Sequence, residues 1–115
     1  PEDEPQHEVD AKPDLPELPP AFVQAFQDQT RADLSELADI VAERSVGRLR
    51  QWLHRVSGGL SVLGASKLLD QCQQLREEAA RAHGWNDDIE QASLAIGDVL
   101  EAMQSLAARH EDARR

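Results

Sequence analysis

The sequence predicts an all-α protein, an antiparallel up-down four-helix bundle behind a disordered N-terminal linker. Three observations carry that reading. All six prolines fall within residues 1–20. Beyond Pro20 the apolar residues recur at i, i+3, i+4 spacing over four successive segments. No segment alternates apolar and polar residues long enough to make a strand. A chain of 115 residues fits one domain and leaves little room for a second.

The first element is the linker, residues 1–18. Seven acids (Glu2, Asp3, Glu4, Glu8, Asp10, Asp14, Glu17) face one base, Lys12. Proline removes backbone donors and like charges repel, so this segment is expected to stay extended and flexible. The chain begins at Pro1 without an initiator Met and is read as a piece of a longer protein. The bundle is expected over 19–110 and a frayed tail over 111–115.

The first helix should open at Pro19-Pro20, where a missing N–H costs nothing. Its apolar stripe is Phe22, Val23, Phe26, Thr30, Leu34, Leu37, Ala38 and Val41, ending near Arg44. Ser45 is the expected N-cap of the second helix. Val46, Leu49, Leu53, Val56, Leu60 and Leu63 form its stripe, and Gly64 stops it by adopting a left-handed conformation. The third carries Leu68, Leu69, Cys72, Leu75 and Ala79 and ends at His83-Gly84. Asn86 caps the fourth, with Asp87 and Asp88 at the positive end of the helix dipole. Its stripe is Ile89, Ala92, Ile96, Val99, Leu100, Met103 and Leu106. Helices of about 15–25 residues joined by short turns give a bundle about 25–35 Å long. The apolar stripes should be used up inside one bundle, which predicts a monomer.

Composition narrows the function. With 22 acidic and 12 basic residues the net charge is −10, aromatics are 3%, and there is no Tyr. An acidic chain with so few stacking platforms is a poor nucleic-acid binder. The single cysteine builds no internal disulfide framework. No apolar run approaches the roughly 18 residues of a membrane span, and no signal peptide is visible.

His54 is the informative residue. At about 100° per residue, Leu49, Leu53, Val56, Leu60 and Leu63 lie on the far side of the helix from it. Arg50, Ser57, Gly58 and Ser61 fall within about 60° of it. That predicts a mid-helix histidine on the solvent face beside an arginine, two hydroxyls and a glycine. Glycine inside a helix costs roughly 0.5–1 kcal/mol against alanine. Gly58 at i+4 leaves the imidazole open to a bulky group, a local rule broken where a functional site would break it. From Arg44 to Leu69 there are five bases (Arg44, Arg48, Arg50, Arg55, Lys67) and no acid. In a chain of this charge they predict a positive patch suited to a phosphoryl group or an acidic partner. A free imidazole has a pKa near about 6.5, so a neutral nucleophile exists at pH 7 without a dedicated base. There is no glycine-rich phosphate loop and no Ser-His-Asp arrangement.

Residues 53–78, LHRVSGGLSVLGASKLLDQCQQLREE, resemble the histidine phosphotransfer (HPt) domain of bacterial phosphorelays. The family pattern is a histidine, any residue, a hydrophobic residue, usually lysine, then glycine. A second glycine, a leucine, a small residue that is often Cys, and another leucine follow. Here these are His54, Val56, Ser57, Gly58, Gly64, Leu68, Cys72 and Leu75. The helical pattern extends the resemblance to about residues 20–108. It implies a four-helix bundle that is not itself a kinase. His54 would take a phosphoryl group from a receiver-domain aspartate and pass it to the aspartate of a response regulator. Gly58 would be the clearance residue, Gly64 would allow a close turn, and Cys72 would be a packing residue. Ser57 departs from the usual lysine and supplies no charge; Arg50 is the expected substitute. Arg55 and Ser61 complete the expected phosphoryl and partner surface. The domain itself would hold no cofactor, with Mg²⁺ belonging to the partner receiver. With its tether, the domain resembles the C-terminal module of a hybrid sensor kinase, where a linker raises effective concentration; that resemblance implies a cytoplasmic portion of a membrane-bound parent.

Other readings fit less. A non-catalytic helical adaptor predicts that His54 is replaceable. The dimerisation domain of a sensor kinase has an acid after its histidine, where this chain has Arg55. The HPt domain of a chemotaxis kinase usually begins its chain, unlike one behind an acidic leader. Metal binding is not expected: a di-iron bundle needs Glu-x-x-His pairs, and Gln51 and Ala107 stand three before His54 and His110. His7, His83 and His110 read as capping or solvated, Trp52 and Trp85 as packing, and Met103 as core.

Overall fold

The computed structural model describes residues 20–113, with side chains over 21–109. Four helices account for nearly all of it: α1 Pro20–Glu43, α2 Val46–Leu63, α3 Ser66–Arg81 and α4 Asp87–Ala113. No strand occurs among the described residues. Consecutive helices pack on one another and α1 closes on α4, so the order around the bundle is α1, α2, α3, α4. The expected linker over 1–18, with His7, lies outside the described residues. So do residues 114–115 of the expected tail and the side chain of His110. The α4 backbone stays helical to Ala113, three residues past the expected end of the bundle.

The two tight turns share one construction. Arg44 N–H donates to Val41 O and Ser45 N–H to Ile40 O, while Gly64 N–H donates to Ser61 O and Ala65 N–H to Leu60 O. This paired bonding satisfies the last carbonyls of each helix and needs a left-handed residue. Gly64 takes that role with φ 77°. Arg44 takes it with φ 55°, although it is not glycine. Side chains cap the starts of α2 and α4, whereas Ala65, ahead of α3, supplies no side-chain cap. Ser45 Oγ accepts from Arg48 N at 3.2 Å, and Asn86 Oδ1 accepts from Ile89 N at 2.8 Å. The third helix stops at Arg81, two residues before the expected His83-Gly84, because Ala82 is already extended.

The core runs through Trp52, Ile40, Leu49, Leu53, Leu68, Leu75, Ile89, Ile96 and Met103. Trp52 is wholly buried, and its Nε1 donates to the Asp33 backbone carbonyl at 3.0 Å, tying α2 to α1. The stripe of α1 needs correction. Its buried line is Val23, Thr30, Asp33, Leu37 and Ile40. At 100° per residue that line turns Ala38 out, and Phe22 is 59% exposed.

Candidate functional site

α2 is placed between α1 and α3, and its two flanks do different work. On the α3 flank His54 is exposed and lines an open groove of about 940 Å³. From α2 come Gly47, Arg50, Gln51 and His54; from α3 come Gln73, Arg76, Glu77 and Ala80. The α3 residues recur at i, i+3, i+4, i+7, directly beside the buried Cys72 and Ala79. Arg76 Nη2 reaches within 3.4 Å of His54 Nδ1. Arg50 and Arg76 therefore give the imidazole two guanidinium neighbours, with Glu77 the one acid among the lining residues.

Sequence reasoning placed His54 and Arg50 together on the solvent face of one helix and missed Arg76, Gln73 and Glu77 on the next. The α3 wheel puts these residues one step round from its buried stripe, but the helix that this flank meets is set by the packing.

On the opposite flank the cations are taken up by α1. Arg55 pairs with Glu36 and lies 3.6 Å from Asp33 Oδ1. Arg48 lies 2.7 Å from Glu43 and 3.7 Å from Glu36. Arg44 reaches Glu90 on α4 at 3.7 Å. So the run of bases is not one positive patch. Arg55 in particular is turned from His54 toward α1, because its neighbours Val56 and Leu53 are buried between the helices. Asp33 is itself buried, which pushes its carboxyl up; the Gln29 hydrogen bond and the Arg55 charge offset part of that.

Ser57 also departs from expectation. It is 7% exposed rather than on the solvent face. Sixty degrees from His54 is far enough round α2 to reach the α3 contact. Its Oγ is buried without a hydrogen-bond partner. It lies close enough to Cys72 to favour that thiolate slightly, yet burial dominates and pushes the thiol up to about 11. A thiol held protonated in this way is inert packing. Gly58 and Ser61 are exposed, and a Cβ built on Gly58 meets nothing within 4 Å. Leu68, Cys72 and Leu75 are buried where α3 meets the core. His83 is exposed near the α3–α4 connection.

Among the described residues no group of three or more His, Cys, Asp or Glu is arranged to hold a metal ion. No described helix is long and apolar enough to cross a membrane. In chemical terms the groove offers one accessible imidazole, two cations and open space for a bulky anion.

Residues 21–112 fit the family model described as Hpt domain. No curated protein and no solved structure matches the chain.

Proposed function

The chain belongs to the Hpt domain family, and we propose that His54 is its phosphoacceptor. Domains of this family carry out histidine phosphotransfer in phosphorelays and interact with receiver domains. The observation that carries the assignment is the groove itself: His54 is exposed on α2 and lines it together with the guanidinium-bearing Arg50 and Arg76.

The chemistry divides between partners. A receiver aspartyl phosphate enters the groove end-on to the imidazole. A ring nitrogen attacks phosphorus while the bond to the aspartate oxygen breaks, and its electron pair leaves with the carboxylate. Mg²⁺ on the receiver neutralises phosphoryl charge. This chain contributes a nucleophile on a rigid helix, cations beside it, and clearance at Gly58. Transfer to a second receiver reverses the same step. We place the domain as the C-terminal module of a hybrid sensor kinase, cytoplasmic, monomeric when isolated, and tethered by its acidic leader.

The test is phosphoryl labelling. The purified chain is incubated with several receiver domains charged by a small phosphodonor and Mg²⁺. Acid-labile, base-stable label is expected on the wild type and none on His54→Gln. A folded wild type that takes no label from any receiver would overturn the assignment and favour a non-catalytic adaptor.

A further inference from the structure

The contact between Arg76 and His54 has a consequence for reactivity. A guanidinium carries five N–H donors, no acceptor, and a permanent charge. The 3.4 Å approach of Arg76 Nη2 to His54 Nδ1 is therefore a hydrogen bond only when Nδ1 offers a lone pair. A neutral imidazole has one N–H and one lone-pair nitrogen. With Nδ1 accepting, the ring proton resides on Nε2. Both nitrogens are then engaged, one by Arg76 and one by its own proton.

The groove arranges the release. The charged groups facing His54 are Arg50 from α2 and Arg76 and Glu77 from α3. On the other flank of α2, the α1 acids Asp33, Glu36 and Glu43 face Arg48 and Arg55. A contact of 3.4 Å between exposed groups is long for a hydrogen bond to nitrogen and gives way readily. An anion in the groove offers Arg76 a stronger, charge-assisted partner.

We propose that Arg76 is a positioning residue that latches His54 in an unreactive tautomer and releases it when a phosphoryl group arrives. The inference rests on His54 being the phosphoacceptor. When the anion enters, the guanidinium turns from Nδ1 to the phosphoryl oxygens. The ring proton then exchanges through water, and a lone pair is free to attack. The nitrogen–phosphorus bond forms as the phosphorus–carboxylate oxygen bond breaks, and the other ring nitrogen keeps its proton until water takes it. The nucleophile is thus exposed by the substrate it attacks, and Arg76 supplies at the groove a cation that Ser57 does not.

Two measurements on the unphosphorylated, folded chain test this. The first is the His54 tautomer, read from long-range ¹H–¹⁵N spectra at about pH 9, where imidazole is neutral. Wild type and Arg76→Lys, both donors only, are expected to show a lone pair on Nδ1 and the proton on Nε2. Arg76→Ala should give a more even mixture, and Arg76→Glu, an acceptor, should move the proton to Nδ1. The second is acylation by diethyl pyrocarbonate, a neutral reagent, followed at the His54 peptide by mass spectrometry. Arg76→Ala should react roughly two- to tenfold faster than wild type, the range one hydrogen bond accounts for. A tautomer unmoved by Arg76→Ala overturns the latch, and so do equal acylation rates. Neither assay needs phosphoryl transfer. Normal labelling at His54 with an insensitive tautomer defeats the latch alone, while a held tautomer with no labelling defeats the phosphoacceptor assignment.

Discussion

Gly58 sets the stability of α2 against its use. Its backbone is helical, and a Cβ there meets nothing within 4 Å. Alanine would remove the backbone freedom that glycine loses on folding, without a clash. Gly58→Ala should therefore stabilise the fold by about 0.5–1 kcal/mol. If the vacancy clears the way for a phosphoryl group one turn from His54, the same variant transfers more slowly. Gly59 is the control, since it is equally open but faces the α1 flank beside Arg55 and Leu60. Gly59→Ala should gain similar stability and transfer at the wild-type rate. Urea unfolding and labelling rates on both variants check this; slowing by neither or by both removes the clearance role. Ser57 shows a different compromise. A lysine at this position has a long stem that can pass through the buried contact and carry its ammonium out to water. Serine fills the same space but leaves a buried hydroxyl without a partner.

The seam between α1 and α2 is where burial and charge meet. Asp33 is buried there, and its carboxyl is raised above the ordinary aspartate value, first by desolvation. A folded-state pKa above the unfolded one means the native state binds that proton more tightly. The stability this adds is present below the unfolded value near 3.8 and is lost as pH rises through the raised folded value. Asp33→Asn does not titrate, so its stability relative to wild type should improve between about pH 4 and pH 7. Urea midpoints at the two pH values read this directly, and a constant difference would sink the idea. The starts of α2 and α4 and the end of α2 were legible because each has a local cause: Ser45 and Asn86 cap and Gly64 turns left-handed. The ends of α3 and α4 fell two residues short of and three residues past those expected. The exposure of Phe22 and Ala38 and the burial of Asp33 and Ser57 were not legible. These depend on which neighbour a helix meets, and one helix's own periodicity does not contain that. Arg76 was missed for the same reason, being 22 residues from His54 in sequence and 3.4 Å from it across the groove.

Across the whole molecule, charge is sorted by place more than by sum. The net charge is −10, yet the His54 groove carries two arginines against one glutamate. The acids of α1 hold Arg48 and Arg55 on the opposite flank. A phosphorylated partner approaching an acidic protein is repelled at long range unless the docking face differs from the average. Two variants separate place from sum. Arg50→Ala and Arg31→Ala each remove one positive charge, but Arg31 is exposed on α1, 3.2 Å from Asp28, away from the groove. If net charge governs encounter, the two should slow phosphoryl transfer alike. If the groove does, Arg50→Ala alone should slow it, by several-fold at low salt. At about 0.5 M salt the screening length falls to roughly 4 Å. A purely steering effect should then shrink toward wild type, whereas a direct contact between Arg50 and the phosphoryl group should persist. Rates that fall equally for both variants would return the control of docking to the protein's overall charge.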